Sequence, residues 1–264
     1  KAEEVPGLFS NIPLGIFGEL LLEIPDNYDR LKAYFPSMAS QEVQNNWTGS
    51  HGKVLLRQSE IFARMLVSGY AATTGRKIAD ATILDYGCGW GRLIRLLYKY
   101  SSIENIYGVD PWGESIRICR ENKVGCHLAI SDYVPDTLPF DHQFDLIFAF
   151  SVFTHLSEKT TAKVLNTLRN YISPSGMLAI TIRPKEYWEI HQKGKLAAEM
   201  TKMHEQSGFA FTPHHRDPID GDITYGDSSI SLEYLADNFP RWNLVSAEWD
   251  KIDPYQVVLF FLPE

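Results

Sequence analysis

The chain has 264 residues, a formal net charge of −8, 44% hydrophobic and 12% aromatic content. Those values exclude a disordered or low-complexity chain and suit one domain with an elaboration. No run of ~18 apolar residues predicts a membrane span, and no Lys/Arg-rich run supplies the basic face that DNA or RNA requires.

The first residue is Lys1 rather than Met, and no basic-then-apolar leader follows it. The start therefore reads as trimmed, with room for a lost targeting segment. The three cysteines, Cys88, Cys119 and Cys126, are odd in number and form no CxxC pair. A disulfide framework and a metal site are not expected; a reducing, cytoplasmic setting is.

Residues 1 to about 50 are rich in Pro, Gly and Asn and read as irregular. An amphipathic helix is predicted over roughly 53–70, with Val54, Leu55, Ile61, Phe62, Met65 and Leu66 on one broad apolar face. From Ile78 the chain alternates strand and helix, the pattern of a parallel sheet covered on both faces. Strands are expected at 82–85, 106–110, 126–128, 144–150 and 177–182. Helices are expected at about 111–122, with Pro111 in a first-turn position, and after Ser157 as N-cap. Residues 173–176 read as a turn. Alternation then stops: a helix-like stretch over 185–206 leads into a segment rich in aromatic, His and Asp residues, and helix resumes at 231–239. Strands at 244–249 and 256–262 form a terminal hairpin.

The stretch Ile83-Leu84-Asp85-Tyr86-Gly87-Cys88-Gly89-Trp90-Gly91-Arg92 turns a strand sharply into a helix. Glycine permits the tight turn and the close approach of a ligand, and such a turn brings backbone N–H groups to one point. Arg92 stands where a dinucleotide-binding loop has its third glycine, and no Lys-Ser or Lys-Thr follows as in a phosphate-binding loop. Asp85 near the loop mouth suits a cationic ligand better than a pyrophosphate. Asp110, about 20 residues on at a strand end, is placed to accept from ribose hydroxyls.

Asp85, Gly87, Gly89 and Gly91 resemble the glycine-rich motif of the class I S-adenosylmethionine-dependent methyltransferases. Ser131-Asp132-Tyr133, the run 144–156 and the turn at 174–178 resemble later stations of the same family. Trp47-Thr48-Gly49-Ser50 resembles a segment carried by its bacterial sugar and secondary-metabolite members. The resemblance implies a Rossmann-like, doubly wound α/β sheet of seven strands, the last antiparallel. It also implies an N-terminal cap over 1–77, a methyltransferase domain over 78–264, and a substrate lid at about 184–228. The cofactor would be S-adenosyl-L-methionine, held by Trp47, Asp85, Gly87, Gly89, Gly91, Asp110, Pro111, Trp112, Ser131, Asp132, Tyr133, Phe150 and Ser151.

Methyl transfer from a sulfonium is an in-line displacement that gains from positioning, water exclusion and, for a hydroxyl acceptor, a base. His155 is the first candidate base, followed by His214 and His215. Tyr187, Trp188 and His191 share one helical face and, with Tyr225, are expected to meet the substrate. The expected partner is a small-molecule or glycan acceptor methylated at oxygen, with neither nucleic acid nor membrane. Three readings stand beside this one: a peptide or protein methyltransferase, a fold-mate that binds without methylating, and, weakest, a nicotinamide-dependent oxidoreductase. Oligomeric state is not legible.

Overall fold

The computed structural model describes residues 9, 11–27, 35–250, 252–253 and 255–264. They fall into two units, 1–131 and 132–264.

The first unit holds helices α1 (Leu14–Asn27), α2 (Gln41–Thr48) and α3 (Gly52–Thr74), then β1 (Ile83–Tyr86), α4 (Arg92–Leu97), β2 (Ile106–Asp110), α5 (Gly113–Glu121) and β3 (His127–Ile130). β1 and β3 both pair parallel with β2, Ile83 opposite Ile106 and Tyr107 opposite His127. The stretch expected to be irregular contains α1 and α2. Ser40 caps α2 by accepting from the Val43 amide, and Gly49, in left-handed conformation, ends it. Gly15, Gly18 and Pro25 lie within α1 and Asn45 and Asn46 within α2, so composition alone misreads these helices as loop.

Leu55, Phe62, Leu66 and Tyr70 of α3 are buried, each apolar side chain worth about 1.5–3 kcal/mol if fully removed from water, whereas Val54, expected on the same face, lies in the exposed first turn. The fully buried Arg95 of α4 ties the N-terminal segment down. Its Nη2 donates to the Ser37 carbonyl at 2.6 Å and its Nη1 to the Trp90 carbonyl.

The second unit holds β4 (Phe144–Ala149), α6 (Glu158–Tyr171), β5 (Ile172–Ile182), α7 (Glu186–His191), α8 (Gly194–Ser207), β6 (Phe209–Pro213), β7 (Gly226–Ile230), α9 (Leu232–Asn238), β8 (Trp242–Trp249) and β9 (Val257–Pro263). Phe144, Leu146, Ile147, Phe148 and Ala149 are all fully buried, as a strand covered on both faces must be. Ser157 caps α6 as expected. The turn expected at 173–176 is instead the start of β5, and the β4–β5 register shifts between Phe144 and Leu146. The helix expected over 185–206 is two, broken before Gly194, whose φ of +64° leaves helical space.

The seven-stranded sheet has the order β3-β2-β1-β4-β5-β9-β8, with β9 antiparallel to both neighbours. This is the Rossmann-like α/β architecture expected, with its reversed last strand. β6 and β7 form a separate antiparallel ribbon. Among the described residues no helix is long and apolar enough to cross a membrane, and no cluster of three or more His, Cys, Asp or Glu could hold a metal ion.

Candidate functional site

In the first unit the glycine turn joins β1 to α4. Gly87, Gly89 and Gly91 have φ of +77°, +54° and +76°, values that side-chain-bearing residues avoid. A Cβ added at Gly89 would meet nothing within 4 Å, so the backbone there faces open space. The turn's amides, however, do not converge as free donors. Gly87 and Cys88 both donate to the Val109 carbonyl, Gly91 to the Cys88 carbonyl, and Gly89 to Asp110 Oδ2 at 2.9 Å. The glycines supply shape and approach more than hydrogen bonds.

Asp110 closes β2 and is nearly buried. Its Oδ1 accepts from the Trp112 amide at 2.9 Å, and Ser115 also hydrogen-bonds the carboxylate. Burial pushes its pKa above the usual carboxylate value despite the bonds from Trp112, Gly89 and Ser115. Asp85, also buried, is raised well above that value, first by burial and then by the Cys119 and Asp110 charges. A cationic ligand group beside Asp85 would restore its charge. Pro111 lies before the helix rather than in its first turn, because α5 starts at Gly113 with Trp112 as N-cap.

Trp112 is half exposed, and its ring lies 4.6 Å from that of Trp47 at an interplanar angle of 32°. Trp47 sits at the end of α2, against the cluster of Ala39, Leu55, Trp90 and Ile118. The Ser131 amide donates to the Asp110 carbonyl at 3.3 Å, and its buried hydroxyl has no partner among the described residues. Asp132 and Tyr133 are exposed and begin the second unit.

In the second unit Phe150 and Ser151 follow β4. Ser151 has a φ of +59°, a strained value for a residue with a side chain. Its amide donates to Thr181 Oγ1 at 2.7 Å, and Gln256 Nε2 donates to its hydroxyl at 3.1 Å. His155 is held on both ring nitrogens. Nδ1 donates to the Gly226 carbonyl at 2.7 Å, so Nε2 is the acceptor of the 3.2 Å bond from Arg183 Nη2. Burial and the Arg183 charge push its pKa down to about 4. Its lone pair is therefore occupied, which weakens its standing as a base.

Asp227 anchors this group. It accepts from Arg183 Nη1 at 2.6 Å and from His214 Nε2 at 3.1 Å. Burial works to raise its pKa, but the bonds from His214 and Arg183 leave it lowered. His214 is exposed and keeps Nδ1 as its acceptor nitrogen when Nε2–H points at Asp227. His215 is exposed. The Tyr225 ring stacks on His155 at 5.0 Å and 9° and carries the Arg216 guanidinium at 4.3 Å.

Tyr187 takes the Arg183 guanidinium at 4.0 Å and stacks on His191 at 4.7 Å. Trp188, expected to meet substrate, is 0% exposed and donates from Nε1 to Ser229 Oγ at 2.6 Å. It is a core residue, because α7 turns that face onto α8 and β6 rather than outward. Sequence reasoning missed Arg183 and Asp227, the two residues that organise this cluster. Arg183 ends the apolar run of β5, the one signal that could have marked it; Asp227 carries no motif at all.

The comparisons agree with the architecture. A family model described as a methyltransferase domain matches residues 83–176. A malonyl-[acyl-carrier protein] O-methyltransferase of Halalkalibacterium halodurans is 30% identical over 124 residues, 44% of this chain and 45% of that protein. The chain thus spans less than half the length of that curated relative. A structure of an S-adenosylmethionine-dependent methyltransferase from Clostridium acetobutylicum aligns with a TM-score of 0.54 at 14% identity, covering 78% of this chain and 92% of that one. The glycopeptide N-methyltransferase MtfA, solved with S-adenosyl-L-homocysteine, aligns with a TM-score of 0.53 at 13% identity, covering 78% and 90%.

Proposed function

We propose that this chain, which carries a methyltransferase domain over residues 83–176 in the class I S-adenosylmethionine-dependent fold, methylates a small-molecule or glycan hydroxyl. The cofactor of this domain is S-adenosylmethionine. The observation that carries its placement is Asp110, gripped by the Gly89 and Trp112 amides beside a glycine that opens onto free space. The carboxylate would receive ribose hydroxyls, the Trp47–Trp112 pair would offer an aromatic face to the adenine, and Asp85 would answer the ammonium. When bound, the sulfonium supplies an electrophilic methyl group and a neutral leaving thioether.

For the acceptor, His214 is the better base. Asp227 fixes its ring through Nε2, leaving Nδ1 to take a hydroxyl proton. Arg183 and His155 brace Asp227 and Tyr225 from behind. Three cysteines without a disulfide favour a cytoplasmic setting.

Calorimetry with S-adenosylmethionine, S-adenosylhomocysteine and NAD tests the first part, and saturable binding of NAD alone overturns it. Radiolabelled methyl transfer to a panel of phenols, glycosides and short peptides tests the second. Label in the peptides and none in the hydroxyl compounds would replace the oxygen reading.

A further inference from the structure

We infer that Cys88 and Cys119 are an oxidation site beneath the glycine turn, where a peroxide closes a disulfide that removes cofactor binding. The consequence for binding rests on the function proposed above; the chemistry does not. Cys88 lies within the turn and Cys119 on α5, yet both thiols converge on one atom. Cys88 Sγ is 3.8 Å and Cys119 Sγ 3.3 Å from the Gly89 carbonyl oxygen.

A second feature makes one of them reactive. Arg95 is fully buried, and its hydrogen bonds go to the carbonyls of Ser37 and Trp90. A Cβ built on Gly91 would lie 3.0 Å from Arg95 Nη1 and 3.2 Å from Cys119 Sγ, so guanidinium and sulfur flank one point. The hydrogen bond from Cys88 and the Arg95 charge hold the Cys119 thiol below its usual pKa.

The Cys119 thiolate attacks one oxygen of a peroxide, giving a sulfenic acid and releasing hydroxide, which takes up a proton. Cys88 sulfur then attacks the sulfenic sulfur; the S–S bond forms, the S–O bond breaks, and water leaves with the Cys88 proton. Two thiols and hydrogen peroxide become one disulfide and two waters. A disulfide needs its sulfurs at about 2.05 Å, so two sulfurs that flank the Gly89 carbonyl oxygen must draw together. The turn that holds Cys88, Gly89 and the Asp110 contact shifts with them. Both cysteines are buried, so peroxide enters only when the turn opens, and bound cofactor should slow the reaction.

The test uses the full chain with Cys126→Ser, which removes the third thiol. The protein is exposed to a few equivalents of hydrogen peroxide and quenched. Peptide mapping then looks for a Cys88–Cys119 link, and calorimetry with S-adenosylhomocysteine follows before oxidation, after it, and after dithiothreitol. The link should form faster without S-adenosylhomocysteine than with it. Affinity should fall by about tenfold or more and return on reduction. Adding Cys119→Ser, or Cys119→Ala should serine disturb α5, should leave affinity unmoved by peroxide. Peroxide that leaves both thiols intact, oxidises them singly, or links them with affinity unchanged overturns the proposal. Failure of the reduced protein to bind S-adenosylhomocysteine would count against the methyltransferase reading instead, and the mapping would still decide the thiol chemistry.

Discussion

A carboxylate offers roughly four acceptor positions. The Gly89 and Trp112 amides take one position on each oxygen of Asp110, and the positions that remain would suit ribose hydroxyls. Asp110→Ala removes a charge-assisted bond to ribose and frees the turn. S-adenosylhomocysteine should bind about 1–3 kcal/mol more weakly by calorimetry, and Asp110→Asn should lose less. Equal affinity in all three proteins would end the ribose assignment. At His155 the sign of the pH effect follows from its pKa of about 4 against an unfolded value near 6.5. Between those limits the unfolded chain binds a proton that the folded one refuses, so stability rises with pH across the window. Fully present above pH 6.5, this contribution should be about 2 kcal/mol smaller at pH 5 than at pH 7. Urea unfolding at the two pH values, with Arg183→Met as the variant that frees the ring, measures it. A His155 proton resonance that titrates near pH 6.5 would contradict the locked tautomer.

At the scale of elements, legibility followed the range of the interactions. The glycine turn, Asp110 at the end of β2, the Ser157 cap and the C-terminal hairpin are local patterns, and each is legible in the sequence. The His155 cluster was not, because its members meet only through pairing. The Gly226 amide donates to the His155 carbonyl and the Ser228 amide to the Thr154 carbonyl, which stitches β7 onto the loop after β4. No spacing in the chain announces that Asp227 will thereby face Arg183. Gly226 also packs closely against β6: a Cβ there would lie 2.1 Å from the Thr212 carbonyl oxygen and 2.8 Å from Phe211. Gly226→Ala should force β6 and β7 apart and cost about 3 kcal/mol or more. Chemical denaturation gives the loss. Amide exchange should show it concentrated at 209–213 and 226–230, and a variant within 0.5 kcal/mol of the parent would mean the ribbon absorbs the extra carbon.

For the whole molecule the question is where an independently folding piece can begin. The sequence pattern placed the start of the methyltransferase domain at residue 78, with everything before it as cap. Packing bears on whether that domain folds without the cap. Trp90, inside the glycine turn, is buried in one cluster with Ala39 and Leu55, and Arg95 hydrogen-bonds to the carbonyls of Ser37 and Trp90. A chain of residues 78–264 would expose Trp90 and leave the buried guanidinium without the Ser37 carbonyl that accepts two of its bonds. It would also uncover the face of α4 that α1 and α3 contact. Losing the partner of a buried charge costs several kcal/mol, comparable with the 5–15 kcal/mol that holds a domain folded. The truncated chain should therefore show no cooperative thermal transition by circular dichroism and no heat of binding with S-adenosylhomocysteine, while the full chain shows both. A 78–264 fragment that melts cooperatively and binds the ligand would show the first 77 residues to be dispensable for both folding and binding.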